Sequence, residues 1–323
     1  MTTRGEAADM GSAATDSAAT ATAAGRSAAA VTRLRALAAL CRPRQWIKNV
    51  LVLAAPVAAG RILDPSTVGR ALIAVVAFTL VASGVYWVND AVDAHTDRLH
   101  PTKRHRPVAS GRVDRRTALV GGAALQIAAI VLSWLAIGPA LAAVIVVYAA
   151  LQFAYSVQLK RVPVAELMIV ASGFVIRALA GGVATDIALT EWFLIVTSFA
   201  ALFVVAGKRY AESIAMGELA GEHRAVLERY PQAFLQQVVG VCLAVTLLAY
   251  CLWAFRTSTL VTGRTPSLWV ALSVVPVTLI ALRYLLLVAA GRTGEPEDLI
   301  LRDRVTALGV LASGAMVLFG LYG

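Results

Sequence analysis

Apolar residues fall into long runs, each continuing for about 20 positions with almost no charge, the length a helix needs to cross a bilayer. Nine such runs predict nine membrane-spanning helices, at approximately 45–61, 68–92, 117–136, 139–158, 164–184, 191–210, 233–255, 267–290 and 304–322. Glycine and proline punctuate the joins, at Gly60, Pro65, Gly138-Pro139, Pro163, Gly181-Gly182, Pro231, Pro266, Gly294 and Pro296. The runs are apolar on all sides, without the alternation at a period of two that a spanning barrel requires. The expected fold is all-α and integral to the membrane. Residues 1–32 are rich in Ala, Thr and Ser and read as a disordered cytoplasmic tail, leaving 33–323 as one transmembrane catalytic domain.

Composition agrees. Of 323 residues, 59% are hydrophobic and 15% charged, and the mean hydropathy is +0.74, which excludes a soluble or disordered chain. The net charge of +10 would suggest nucleic acid in a soluble protein. Here its distribution assigns it to the membrane. With the N-terminus in the cytoplasm, 24 of the 29 Lys and Arg residues lie at the inner connections and four, Arg61, Arg70, Arg256 and Arg264, at the outer ones. The positive-inside rule then places the C-terminus outside a cell membrane and the polar chemistry on the cytoplasmic face, with no nucleic-acid partner. Cys41, Cys242 and Cys251 have no metal-ligand spacing and suggest no disulfide framework.

The strongest chemical signal closes the second run: Asn89-Asp90-Ala-Val-Asp93-Ala-His-Thr-Asp97. On a helix these four side chains fall within an arc of about 100°. Carboxylates sharing one face repel, oppose the dipole at a helix C-terminus, and cost about 2.5–3.5 kcal/mol each within a span. A cation must offset them. An all-oxygen set selects Mg²⁺, which characteristically binds substrate phosphates as well. Asn89, Asp90, Asp93 and Asp97 are therefore the metal candidates, with Asn89, Asp90 and Asp93 placed at the reaction centre.

Cations cluster on the same side. Lys103, Arg104 and Arg106 follow in a polar loop, where they could enclose a diphosphate, although such a loop also suits the positive-inside rule alone. Arg42-Pro-Arg-Gln-Trp-Ile-Lys48-Asn49 opens the first run, and Tyr155 and Lys160 close the fourth; interfacial anchoring explains both equally well. Lys208 and Arg209 end the sixth. Arg177 stands in the middle of the fifth, where an Arg must face the bundle interior, either at the site or paired with a carboxylate. Gly121-Gly122 and Gly181-Gly182 read as helix-packing positions.

The acidic pattern resembles the first aspartate-rich motif of the UbiA-type prenyltransferase superfamily. That resemblance implies nine transmembrane helices around a central cavity open to the cytoplasm, with Mg²⁺ and a diphosphate at its mouth. Most members carry a second acidic motif at the end of the sixth span, where this chain has Lys208-Arg209-Tyr210-Ala211-Glu212. With Arg42–Asn49, His100–Gly111, Tyr155–Lys160 and Gly173–Gly182, this departure is similar to the decaprenyl-phosphate phosphoribosyltransferase branch. The branch implies transfer of 5-phosphoribosyl from phosphoribosyl diphosphate (PRPP) to decaprenyl or another polyprenyl phosphate within membrane lipid, with diphosphate released. The resemblance also implies a product used in cell-wall arabinan synthesis and a homotrimeric assembly. Lys48, Lys103, Arg104, Arg106, Tyr155, Lys160, Arg177, Lys208 and Arg209 become the substrate-binding candidates. The alternative is prenyl transfer from a prenyl diphosphate to an aromatic acceptor.

Overall fold

A computed structural model of the chain describes residues 31–215, 227–260, 267–292 and 303–322. The tail expected over 1–32 falls almost wholly outside the described residues, as does the acidic connection at 294–298, expected as a solvated loop.

The described residues form helices and turns, with no strand among them. A short helix, α1, covers 31–40. It leads into a 3₁₀ segment, Pro43–Leu53, continued by α2 (Ala54–Ala58). Next come α3 (Pro65–Val92), α4 (Ala94–Arg98), α5 (Arg115–Ala136), α6 (Pro139–Val157), α7 (Ala165–Thr185) and α8 (Glu191–Ala215). The bundle is completed by α9 (Gln232–Leu260), α10 (Leu268–Leu272), α11 (Val274–Ala289) and α12 (Arg304–Tyr322). Eight stretches are long and apolar enough to cross a membrane, with α10 and α11 counting as one. They coincide with eight of the nine expected runs to within a few residues. The ninth, 45–61, is the exception, because it is wound as 3₁₀ turns and one short α-helix.

Small residues decide how closely these helices approach. A Cβ on Gly84 of α3 would stand 2.6 Å from the carbonyl oxygen of Gly122 on α5, and one on Gly122 would stand 2.9 Å from that of Gly84. The backbones are in contact there, and no side chain larger than hydrogen fits. At Gly181 of α7 a Cβ would run into the carbonyl of Val52, which seats the 3₁₀ segment against α7. Gly181→Val is therefore expected to lower stability by about 1–3 kcal/mol through overpacking, read as a fall in the apparent Tm of the detergent-solubilised protein.

The core along α3, α6 and α7 is built on Phe78, Val81, Leu141, Ile145 and Tyr148, all buried. A second cluster lies at one end of the bundle. There Ala36 and Leu40 of α1 meet Ala91, Ala94, Val108 and Val113. The loop after α4 thus folds back under α1. Arg98 Nε donates to the carbonyl of Ala109 at 3.1 Å, Arg115 Nε donates to that of Ala91 at 3.2 Å, and Arg112 donates to that of His105.

The opposite end has its own ties. Asp64 caps α3, accepting from Ser66 N at 3.1 Å and Thr67 Oγ1 at 2.7 Å, and these hydrogen bonds lower its pKa to about 2. Arg70 pairs with Asp186 at 2.7 Å, and Ile62 N donates to Tyr322 Oη at 2.9 Å. Back at the end with the second cluster, near the start of α12, hydrogen bonds from Arg283 and Thr306 hold the Asp303 carboxyl well below the usual carboxylate range.

Candidate active site

The acidic residues and most of the candidate cations meet at the end of the bundle that carries the second cluster. Helix α3 stops at Val92 and the chain turns at Asp93 before α4; Asp90 and Asp97 are buried and Asp93 is partly exposed. Asp90 is 2% exposed. Its Oδ1 receives Arg42 Nη2 at 2.5 Å, with Arg106 Nη1 at 3.7 Å from the same oxygen. Arg106 also pairs with Asp97 Oδ2 at 2.7 Å. Lys160 Nζ lies 2.7 Å from Asp93 Oδ1. Asn89 Oδ1 accepts from Ser156 Oγ at 2.5 Å.

Three cations from three separate elements thus neutralise one helix face. Arg42 comes from the turn before the 3₁₀ segment, Arg106 from the folded-back loop, and Lys160 from the α6–α7 connection. Hydropathy cannot reveal these pairings, but the cost of unpaired carboxylates at this depth requires something like them. Arg42 and Ser156 are the residues the sequence reading left out of the site. The available signal for Arg42 was its place in the basic stretch before Lys48.

A second ionic group lies at the same end of the bundle. Glu166, fully buried in the first turn of α7, binds Arg209 of α8 through two hydrogen bonds, Nε to Oε1 at 2.9 Å and Nη2 to Oε2 at 3.1 Å. Arg209 Nη1 also donates to Glu212 Oε2 at 2.8 Å. Helix α8 runs five residues beyond its expected end at 210, which puts Glu212 one turn past Arg209. Tyr155 is half-buried near the end of α6. The connection between the two groups is strained, since Val164 has φ 65° and donates its N–H to Tyr230 Oη at 2.6 Å. A β-branched residue in that region is rare and is held here by its surroundings.

Lys48, Lys103 and Lys208 are half-buried, and Arg104 is exposed with Nε donating to His105 Nε2 at 3.3 Å.

Arg177 is placed elsewhere. Its guanidinium donates to Asn49 Oδ1 at 2.9 Å, Gly173 O at 2.6 Å and Tyr148 Oη at 2.9 Å, and lies 4.9 Å from the centre of the Tyr148 ring. Asn49 in turn donates to Thr79 Oγ1 at 3.0 Å. Thr79 is 11 residues before Asp90 on the same helix, about 16 Å along its axis. The geometry therefore separates Arg177 from the carboxylate group. No carboxylate pairs with it among the described residues; neutral dipoles and aromatic faces surround the charge instead.

Whether a divalent cation fits can be judged from the donors. Asn89, Asp90, Asp93 and Asp97 offer only oxygen, and positive groups already stand against three of them. No three Asp, Glu, His or Cys side chains gather around one point among the described residues. Mg²⁺ does not need three, because it is commonly held by one or two carboxylates with substrate phosphates and water filling the rest. Asp90 and Asp93 meet that requirement.

The sequence profile of the UbiA prenyltransferase family matches residues 50–302. The chain belongs to that family. As a UbiA family member it is similar to the decaprenyl-phosphate phosphoribosyltransferase of Mycobacterium tuberculosis H37Rv, with 45% identity over 287 residues, covering 86% of this chain and 93% of the relative. The protein of the same name from Corynebacterium glutamicum is 43% identical over 284 residues, covering 87% and 85%. Among solved structures, a UbiA homolog from Archaeoglobus fulgidus bound to GPP and Mg²⁺ superposes with a TM-score of 0.64 over 88% of this chain and 98% of that one, at 15% identity. The fold is thus that of a UbiA protein, and the chain is a transferase.

Proposed function

We propose that this UbiA family protein is a decaprenyl-phosphate phosphoribosyltransferase. It transfers 5-phosphoribosyl from PRPP to a polyprenyl phosphate at a cytoplasmic mouth and so supplies a precursor of cell-wall arabinan. The observation that carries the reading is the helix end bearing Asp90, Asp93 and Asp97, paired with cations from three elements at one mouth. The names of relatives that match most of the chain support it. The single acidic motif supports it too. Opposite that motif the bundle carries Lys208, a group suited to a second phosphate rather than a second metal, while Arg209 beside it is already bound by Glu166 and Glu212.

Nine crossings follow if the Pro43–Ala58 stretch counts as one. Eleven 3₁₀ residues and five α-helical ones rise about 30 Å together, the thickness of the hydrocarbon layer.

Asn89, Asp90, Asp93 and Asp97 would hold Mg²⁺ against the donor's diphosphate. Bound there, the ion supplies Lewis-acid stabilisation of the leaving diphosphate. The protein's own groups do the rest. Lys103, Arg104 and Arg106 take up charge as the bond from ribose C1 to the diphosphate oxygen breaks. An oxygen of the acceptor phosphate forms the new bond to C1 from the opposite face, so the anomeric centre inverts. Lys48, Tyr155, Lys160 and Lys208 orient the acceptor phosphate and the donor's 5-phosphate, and Arg209, expected among them, instead ties α7 to α8 through Glu166. A phosphate monoester with second pKa near 6 is already largely ionised at neutral pH, so no side chain need remove a proton. Arg177, about 16 Å deeper, organises the interior through Asn49 and Tyr148.

The test uses purified full-length protein in detergent with Mg²⁺, decaprenyl phosphate and PRPP labelled in the ribose. Label should enter the organic phase, and EDTA should prevent it. Folded protein that leaves all label in water would overturn the reading.

A further inference from the structure

Each carboxylate of the acidic helix end has a cation as its partner; at Asp90 the two sides of the pair differ in their freedom, whereas Lys160 and Asp93 are both partly open, at 27% and 32%. Asp90 is 2% exposed at the side chain, whereas Arg42 is 30%, Arg106 29% and Lys160 27%. The cations have a path into water and the buried carboxylate has none.

Arg42 is also held in an unusual way. Its backbone is left-handed, with φ 50° and ψ 63°, a conformation that side chains other than glycine adopt at a cost. The turn is pinned by its neighbours. Trp46 Nε1 donates to the Cys41 carbonyl at 3.0 Å, and Trp87 Nε1 lies 3.3 Å from Cys41 Sγ. The guanidinium carbon lies 4.8 Å from the centre of the Tyr86 ring. A strained backbone that aims a partly exposed cation at a buried carboxylate is a device for placing charge, and strain of this kind gathers at functional positions.

We infer that Arg42 and Lys160 are place-holders that compete with the divalent metal for Asp90 and Asp93 and pass to the donor's phosphates when the metal is bound. This rests on the proposed assignment of Asp90 and Asp93 to the metal. It makes both cations positioning residues whose loss has opposite effects on two ligands. Without a diphosphate, the metal must break the Arg42–Asp90 and Lys160–Asp93 pairs and leave both cations without a partner. With a diphosphate, the cations regain one. Metal and diphosphate therefore bind with positive coupling, and a metal arriving alone binds weakly. The carboxylates are thereby kept neutralised between turnovers, with no permanently bound ion.

The experiment measures Mn²⁺ affinity of the full-length protein in detergent by the EPR signal of free Mn²⁺, with and without inorganic pyrophosphate. Arg42→Gln and Lys160→Gln are each expected to bind Mn²⁺ alone on the order of tenfold more tightly than wild type, since a charge-assisted hydrogen bond no longer has to be broken. Each should bind pyrophosphate with Mn²⁺ more weakly by a comparable factor. Arg42→Lys, which keeps the charge, should stay near wild type. Lys160→Gln lies on a half-exposed pair and gives a reading independent of whether the Arg42 turn tolerates substitution. If Mn²⁺ alone binds wild type and the folded Gln variants equally, or the variants less tightly, the competition is overturned while the metal assignment stands. If wild type takes up no Mn²⁺ even with pyrophosphate, the metal assignment itself fails and the competition with it.

Discussion

Asp93→Ala is expected to lower phosphoribosyl transfer on the order of 10³-fold while leaving the fold nearly untouched. The two halves of that expectation have separate grounds. Asp93 stands where α3 ends, with its side chain 32% exposed. Among the described residues its side-chain partner is Lys160, itself 27% exposed. A pair so open to water contributes under about 1 kcal/mol to stability. Its role in helix termination is borne by the backbone, which donates to Asn89 O at 2.9 Å and persists in alanine. The catalytic loss comes from removing one of the two carboxylates that would hold positive charge at the leaving diphosphate. Rates of label transfer at saturating PRPP, set beside the apparent Tm, separate the two. Turnover near wild type in the folded variant would remove Asp93 from the site.

Glu166→Ala should do the reverse and unsettle the fold first. Glu166 is fully buried and supplies two of the three hydrogen bonds holding Arg209, whose side chain is 4% exposed. Alanine would leave that guanidinium with Glu212 alone in a medium that solvates charge poorly. Breaking one side of a buried pair costs about 3–5 kcal/mol, mostly as the penalty of the charge left behind. Removing that charge as well should recover much of the loss, so Glu166→Ala/Arg209→Met is expected to melt above Glu166→Ala. Thermal unfolding of the three proteins in one detergent decides it. A double variant no better than the single would mean that the pair does not hold α7 to α8.

The helices were legible in the sequence because partition into lipid depends on local composition. Eight of the nine expected runs return as helices with ends displaced by at most five residues. What composition cannot record is how a run is wound. Pro43–Leu53 is as apolar toward its end as any span, yet its hydrogen bonds close at three residues instead of four. The deciding contact, the Val52 carbonyl against Gly181, joins positions far apart in sequence. Helix α1 was missed for a related reason. It is too short and too mixed to register as a span, and only the burial of Ala36 and Leu40 against the folded-back loop shows its purpose.

The site was legible in kind but not in pairing. Repulsion along Asp90, Asp93 and Asp97 requires cations, and the basic stretches nearby are the place to look. Which cation meets which carboxylate depends on the turn at Arg42 and on the α6–α7 connection, and neither leaves a periodic trace. Arg177 shows the limit most clearly. Its mid-span position fixes that it faces inward, but the partners could have been an ionised residue at the mouth or neutral groups deep in the bundle. They are neutral and deep.

The 3₁₀ winding of Pro43–Leu53 gives this stretch a mechanical property that an ordinary span lacks. A 3₁₀ helix advances about 2 Å and turns about 120° with each residue. The segment is clamped at one end by Val52 against Gly181, and at the other by the Cys41 turn that aims Arg42. It is therefore a taut ruler between the last turn of α7 and the end of the bundle that carries Asp90. Loss or gain of a single residue between those clamps would move the guanidinium about 2 Å relative to Asp90 and swing it a third of a turn. In this stretch it is the number of residues, more than their identity, that sets the aim of the site.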